Sequence, residues 1–379
     1  MNPSEPAQAR KGRETNYDLL RLIACAAVVV LHVGASYWDA YFDPAFFGVL
    51  YSEHLMMSVF AVDLGRFAVP CFFMLSGAFI LSSSHNAEFR YFYRKAFRSI
   101  GVQALVFSFL YFLWSVLLTW RAVLYKGADI SCMWLPLLRL LKGAPYLHLW
   151  YLYVLFGLYL LAPLVIRFRL SVSAQSFSRV AWVFFLAAAA GLCTSTHLLY
   201  WDPGVWFRYL GYFMLGYCLR SWAHSRKSNG RGICLITAGL LVEIALSWLH
   251  TEVLLENITD PLGWEPLFGE ESPVIALASV LIFAGFSLLE MPAGRGRISR
   301  MAEKTFLIYL IHASVWDVIA SRIVRRYWHG FDSRIAIPLA SAAVLAVSYG
   351  LAMLYQAIWN AAGQKLHITD RLCRALHLE

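Results

Sequence analysis

Ten apolar runs, each close to the length of a bilayer-spanning helix, dominate the 379-residue chain. A helix that crosses the hydrocarbon core needs about 20 mostly apolar residues. Hydrophobic residues make up 60% of the chain and charged residues only 15%, which excludes an ordinary soluble domain. The sequence therefore predicts an all-α, polytopic membrane protein with about ten transmembrane helices. The runs cover residues 17–38, 56–81, 99–120, 147–166, 178–198, 205–221, 231–250, 273–290, 302–321 and 335–359.

The distribution of Lys and Arg predicts how these helices are oriented. If the N-terminus is cytoplasmic, the inner tails and loops hold 21 Lys and Arg residues and the outer loops hold 8, all in loops 121–146 and 322–334. Cytoplasmic loops of membrane proteins are enriched in Lys and Arg. We therefore expect both termini in the cytoplasm. Tails of residues 1–16 and 361–379 then flank one membrane domain of residues 17–360.

Charge and cysteine content exclude two other classes of function. The net charge of +9 comes from short loops between apolar runs, so we expect a lipid bilayer and not a nucleic acid as the partner. The seven cysteines show no CxxC spacing and no pairing with nearby histidines, and five of them lie inside apolar runs. We therefore expect neither a metal site nor a disulfide framework.

Two ionisable residues share one face of the first apolar run. Arg21 and His32 are eleven residues apart, which on a helix is about three turns plus 20° and about 16 Å of rise. Ionisable groups at such a depth are costly and mark functional sites. A neutral His32 is suited to general-base catalysis, and Arg21 to binding a phosphorylated cytoplasmic donor. The alternatives are a purely structural histidine and an interfacial arginine that only orients the helix.

The second apolar run contains a pair of opposite charges. Asp63 precedes Arg66 by three residues, which places both side chains on one helical face and predicts a local ion pair. Pro70 predicts a kink of this helix near Arg66. We expect Arg66 to contribute to donor binding, and the alternative is a buried pair that only fixes helix packing.

A basic segment follows the second run. Arg90, Arg94 and Arg98 recur every four residues, and Lys95 lies among them. A helix here would present a basic ridge at the cytoplasmic surface. Such a ridge is suited to the phosphates of a nucleotide-bearing donor or, alternatively, only to the anionic lipid surface.

Four more candidates lie on later runs. His148 and Trp150 open the fourth run, Arg208 opens the sixth, and His312 lies in the ninth. We expect these residues to bind the acceptor substrate. The alternatives are a structural role for His312 and, for Trp150 and Tyr151, anchoring at the membrane interface.

Taken in order, these motifs resemble the membrane acyltransferase-3 family. The similarity covers about residues 16–360 and points to the stand-alone bacterial branch that is similar to the O-acetyltransferase of enterobacterial common antigen. The motifs are Arg21-x10-His32, Arg66-Phe-Ala-Val-Pro-Cys-Phe-Phe-Met-Leu-Ser-Gly, Lys95-x-x-Arg98, His148-Leu-Trp-Tyr-Leu and Tyr309-Leu-Ile-His312.

The resemblance implies an enzyme of the bacterial inner membrane. It would transfer an acyl group from cytoplasmic acetyl-CoA, or another acyl-CoA, to a hydroxyl of a cell-surface glycan or its lipid-linked precursor. His32 would be the catalytic histidine, either as a base or as a transient acyl carrier, with Arg21 as its motif partner. Lys95 and Arg98 match the family's Arg-x-x-Arg pair on the CoA side, although Lys95 loses the bidentate geometry of an arginine.

Two other functions fit the same buried arginine and histidine. One is a transporter or flippase for a glycan, lipid or small solute, and the other is a scaffold or sensor for envelope assembly. Transporters often contain inverted repeats or paired broken helices, and the sequence shows neither pattern. The sequence therefore favours the acyltransferase.

Overall fold

The computed structural model describes eight ranges of the chain: residues 14–41, 52–146, 148–191, 203–256, 268–269, 272–292, 296–319 and 332–366. Over these ranges the protein is all-helical and has no strand. Most of each predicted tail (residues 1–13 and 367–379) and residues 322–331 of the second basic outer loop lie outside the described residues.

Fourteen α-helices follow one another in the described part of the chain. Each predicted apolar run lies on one or two of them over its described residues, so the predicted helical positions are confirmed. The helices are α1 (Thr15–Tyr41), α2 (Ser52–Asp63), α3 (Ala68–Ile80), α4 (Phe89–Ala96), α5 (Val102–Lys126), α6 (Leu135–Leu141), α7 (Trp150–Ser171), α8 (Ala174–Ala189), α9 (Pro203–His224), α10 (Asn229–Glu256), α11 (Pro273–Leu288), α12 (Arg297–Ala302), α13 (Thr305–Ile319) and α14 (Ser333–Leu366).

Six helical stretches are long and apolar enough to cross a membrane. Helices α8, α11 and α13 have 16, 16 and 15 residues, which is short of the about 20 that an upright crossing needs. The helices therefore support a multi-pass membrane protein, and the count of ten and the orientation stay predictions. The six stretches are Thr15–Tyr37, Met56–Ile80, Phe89–Tyr125, Trp150–Ser171, Asn229–Leu254 and Ser333–Ala362.

The second apolar run forms two helices with a break between them. Residues 64–67 form turns between α2 and α3, so the helix is interrupted at Arg66, where the sequence predicted a kink. Pro70 is the third residue of α3, where its missing N–H group removes no hydrogen bond within the helix. Gly65 in the break packs against α1, and a Cβ there would lie 2.7 Å from the carbonyl oxygen of Ala27. The break therefore fits tightly against the first helix.

Helices α3 and α9 cross at two glycines. A Cβ on Gly77 would lie 1.7 Å from the carbonyl oxygen of Phe213, and a Cβ on Gly216 would lie 1.9 Å from that of Met74. Small residues allow transmembrane backbones to approach closely, and dispersion forces then stabilise the contact. This crossing packs the backbones of α3 and α9 directly against each other.

The start of α1 is attached to two other helices. Asn16 donates a hydrogen bond of 2.9 Å to the carbonyl of Phe286 at the end of α11. Arg220 of α9 pairs with Glu14 and donates to the carbonyl of Ala78 at 3.1 Å. These contacts hold α1 in register with the bundle, and thereby fix the depth of its polar side chains.

Candidate active site

Three histidines from distant parts of the chain meet inside the bundle. His32 lies in α1, His148 directly before α7, and His312 in α13. The ring centres of His32 and His312 are 5.2 Å apart, and those of His148 and His312 are 5.0 Å apart. His148 and His312 are buried, whereas His32 is half-buried. The sequence predicted each histidine separately, and the structure joins them into one cluster, which we call the histidine cluster.

Tyrosine hydroxyls near the histidine cluster are bonded to backbone carbonyls. Tyr309 donates its hydroxyl to the carbonyl of His148, and Tyr111 donates to the carbonyl of Leu310 at 2.8 Å. The Nδ1 atom of His312 lies 2.6 Å from the carbonyl oxygen of Tyr309. These bonds fix the positions of the rings without occupying the remaining imidazole nitrogens.

Three imidazole nitrogens of the cluster have no hydrogen-bond partner among the described residues. They are both ring nitrogens of His148 and the Nε2 atom of His312. A buried polar atom without a partner costs about 1–3 kcal/mol, and in native proteins most such atoms are bonded to protein or to ordered water. In the same described ranges, no group of three or more His, Cys, Asp or Glu side chains is arranged to hold a metal ion.

Helix α1 is fixed against α13 one turn beyond His32. The indole nitrogen of Trp316 donates to the hydroxyl of Ser36 at 2.7 Å, and this hydroxyl donates to the carbonyl of His32 at 3.3 Å. Since Trp316 follows His312 by one turn on α13, the two helices are held together at the level of the histidine cluster. The contact between His32 and His312 is therefore part of a rigid helix pair.

Arg21 lies in a different environment from the histidine cluster. It pairs with the buried carboxylate of Asp18 at 2.7 Å, and its guanidinium lies 4.8 Å from the ring centre of Phe79. The guanidinium of Arg220 also lies over this ring, at 4.7 Å. Along α1, Arg21 is about 16 Å from His32. The structure confirms that both residues are on one helix but gives them separate neighbours.

A second buried polar cluster lies between α2 and α10. Asp63 bonds Arg66 at 3.1 Å, which confirms the predicted ion pair, and its other oxygen lies 2.9 Å from Nδ1 of His250. Glu243 on α10 is 1% exposed, and neither carboxylate oxygen has a hydrogen-bond partner in the described part of the chain. Arg66, predicted to contribute to donor binding, is thus paired inside the bundle.

Sequence reasoning missed the α10 side of this second cluster. Four buried polar residues on α10 recur at helical spacing, which places them on one face of an otherwise apolar helix. That periodicity was a usable signal. The four residues are Glu243, Ser247, His250 and Thr251.

The basic segment before α5 lines an open groove of about 560 Å³. Its walls include Arg94, Lys95 and Arg98, and Arg94 has a buried Nε atom with no hydrogen-bond partner among the described residues. Arg98 lies in a π-helical turn at residues 97–101, so the predicted ridge is not a regular α-helix throughout. Arg90 is exposed and is not among the residues that line the groove. We call this feature the basic groove.

The remaining candidates are placed around the start of α7 and α9. Trp150 packs 5.8 Å from the ring centre of Tyr209, and Arg208 is buried in α9. Tyr151 is buried against Phe73 at 4.7 Å, so its interpretation as an anchor at the membrane interface was wrong. The hydrophobic periodicity of the sequence does not show which face of α7 packs against protein, because lipid and the protein interior are equally apolar.

Fold and site together define an all-helical membrane protein with a buried histidine cluster and a separate basic groove. The Acyl_transf_3 family model, described as an acyltransferase domain, matches residues 14–353. The chain therefore belongs to the acyltransferase-3 family, and family membership makes it a membrane acyltransferase. A search of curated proteins and a search of solved structures each gave no match. The narrower resemblance to the stand-alone O-acetyltransferase branch stays a prediction.

Proposed function

We propose that the protein transfers an acetyl group from cytoplasmic acetyl-CoA to a hydroxyl of a cell-surface glycan or its lipid-linked precursor, in the inner membrane of a bacterium. The observation that carries the proposal is the histidine cluster, whose buried nitrogens have no hydrogen-bond partner in the described residues of an acyltransferase-family chain. Acyl transfer to a hydroxyl needs a group that removes the hydroxyl proton, and imidazole is the side chain most often used for that step.

His32 is the residue of the cluster that we assign to the chemistry. It is half-buried, whereas His148 and His312 are 2% and 0% exposed, so His32 is the member of the cluster with surface left for a substrate to contact. In the direct route, one imidazole nitrogen takes the hydroxyl proton while the oxygen attacks the thioester carbonyl. The carbon–sulfur bond then breaks, and the leaving thiolate receives the proton from the imidazolium.

A second route uses His32 as an acyl carrier. Its nitrogen attacks the thioester carbonyl, the carbon–sulfur bond breaks, and the leaving thiolate takes the proton of the second imidazole nitrogen. The acceptor hydroxyl then attacks the acyl-imidazole, its proton returns to the imidazole, and the ester is released. Both routes end with the same products and the same proton balance. They differ in whether thiol is released before the acceptor is present.

The basic groove is the proposed binding site for the phosphates of the donor. CoA carries several negative charges, and arginine binds phosphate oxygens through a planar fork of N–H donors. Arg94 has a buried Nε atom without a partner in the described structure, and the groove is open to the exterior. The remaining cationic wall, Lys95 and Arg98, adds attraction for a polyanion.

The proposed function is tested by purified protein in detergent. The substrates are acetyl-CoA and a glycan extract from cells that lack the protein. We expect thiol release that depends on the extract, together with an acetyl mass increment on a glycan. A flippase would instead move the glycan across proteoliposome membranes without consuming acetyl-CoA, and that result would contradict the proposal.

Removing the cationic walls of the basic groove should weaken donor binding. In the double variant Arg94→Ala and Arg98→Ala we expect KM for acetyl-CoA to rise at least about 100-fold with kcat nearly unchanged, because each of the two lost charge-assisted hydrogen bonds is worth about 1.5–3 kcal/mol. Steady-state kinetics at low and high salt measure the effect. The matched control is Arg226→Ala, an exposed arginine just after the end of α9, whose guanidinium donates to the carbonyl of Trp222 and lies 5.9 Å from the centre of its ring. An unchanged KM would show that the groove does not bind the donor.

A further inference from the structure

The tautomer of His312 is fixed by its own helix. Its Nδ1 atom lies 2.6 Å from the carbonyl oxygen of Tyr309. A carbonyl oxygen can only accept, so Nδ1 carries the proton of the neutral ring. The Nε2 atom of the same ring therefore has a lone pair and no proton.

This lone pair has no partner among the described residues, although it is buried. Two tyrosine hydroxyls near the histidine cluster, those of Tyr309 and Tyr111, donate to backbone carbonyls instead. The rings that flank His312 are His148, which meets it edge-on at 73°, and His32, which is tilted by 36°. An N–H group of a neighbouring imidazole is thus the donor that the site offers.

We propose that His312 is a positioning residue for His32. Two imidazoles whose centres are 5.2 Å apart can share one N–H···N hydrogen bond of about 2.9 Å after a small rotation. In this arrangement His32 donates its N–H group to Nε2 of His312. The other nitrogen of His32 then has the lone pair, and this nitrogen faces the substrate.

The inference rests on the proposed function and specifies the proton transfers at His32 and their order. The acceptor hydroxyl gives its proton to the lone-pair nitrogen of His32, while the other N–H of His32 stays bonded to Nε2 of His312. The imidazolium is stabilised by that bond, and its proton passes to the CoA thiolate when the carbon–sulfur bond breaks. No proton leaves through His312, because its own N–H donates to the Tyr309 carbonyl.

Direct binding of substrate by His312, which the sequence predicted, fits the structure less well. Its Nε2 atom is buried and its side chain is 0% exposed. The half-buried His32 lies beside it. We therefore place the acceptor hydroxyl at His32 and not at His312.

Two variants of His312 separate positioning from substrate binding. His312→Phe keeps a ring of similar size but removes the acceptor, whereas His312→Gln supplies an amide oxygen near the position of Nε2. We expect kcat to fall about 10–100-fold in the Phe variant with unchanged KM for acetyl-CoA and glycan, and the Gln variant to recover much of it. Wild-type kcat in His312→Phe would overturn the proposal. A raised KM for the glycan at constant kcat would also overturn it, in favour of substrate binding.

Nitrogen NMR of histidine-labelled protein in lipid gives a readout that needs no turnover. Signals of His32 are identified as those lost in His32→Gln. We expect one tautomer of His32 in the wild type, and a mixture of two tautomers in His312→Phe. A wild-type spectrum with a protonated Nε2 on His312 would overturn the proposal even if the Phe variant fails to fold. If the wild type transfers no acetyl group, the proposed function fails, and the spectra still decide whether His312 positions His32.

Discussion

Gly77→Ala should prevent the protein from assembling into a stable bundle. The added Cβ would lie 1.7 Å from the carbonyl oxygen of Phe213 and 2.5 Å from its carbonyl carbon. Both are backbone atoms, so no change of side-chain rotamer relieves the contact, and α3 and α9 have to separate along their whole crossing. Overpacking commonly costs about 1–3 kcal/mol, and a clash with backbone is expected at or above the upper end of that range.

The measurement is the yield of monodisperse protein after detergent extraction, together with its melting temperature. Gly216→Ala should behave in the same way, because its Cβ would lie 1.9 Å from the Met74 carbonyl oxygen on the other helix. Gly350→Ala is the matched control, since this helical glycine on α14 has no atom within 4 Å of the added Cβ. A melting temperature equal to wild type in Gly77→Ala would contradict the close crossing.

The helices were predictable from the sequence because a bilayer leaves the backbone few options. Every N–H and C=O group in the hydrocarbon core must be bonded within the protein, so an apolar run of sufficient length forms a helix. The run predicted a kink near Arg66, but a complete break over residues 64–67 was not predictable from the run itself. It depends on Gly65 fitting against Ala27 of α1, a contact between separate helices.

The candidate site was predictable in its parts but not in its assembly. His32, His148 and His312 each interrupt or border an apolar run, and intramembrane histidines are functional candidates by default. Their convergence depends on how α1, α7 and α13 pack, and hydrophobic periodicity carries little information about packing between apolar helices in lipid. The same limitation explains Tyr151, whose ring belongs to the core and not to the membrane surface.

For Arg21 and His32, the sequence predicted the positions on α1 but not the contacts with other helices. Helical spacing predicted their common side of α1 and a separation of about 16 Å. It could not predict that this side meets Phe79 of α3 at one level and His312 of α13 at the other. The same face of α1 therefore carries a paired arginine at one level and a member of the histidine cluster at the other.

His32→Ala should abolish acyl transfer while leaving the fold intact. General-base catalysis contributes about 10²–10⁴-fold to rate, so we expect kcat to fall by about that factor, or to background if His32 carries the acyl group. The protein should still purify as a monodisperse species, because the ring is half-buried and the contact of α1 with α13 is kept by the Trp316 indole and Ser36. His224→Ala, at an exposed position at the end of α9, is the control and should keep wild-type turnover.

A first-turnover measurement on the wild-type protein distinguishes the two chemical routes. Wild-type protein is mixed with acetyl-CoA in the absence of glycan, and the thiol released in the first turnover is compared with the amount of protein. An acyl-imidazole on His32 gives a burst approaching one thiol per protein molecule, because the carbon–sulfur bond breaks before the acceptor is needed. Direct transfer gives no burst, since the thioester is attacked only by the activated hydroxyl. Turnover of His32→Ala at the wild-type rate would remove His32 from both routes and leave the remaining histidines as the groups to test.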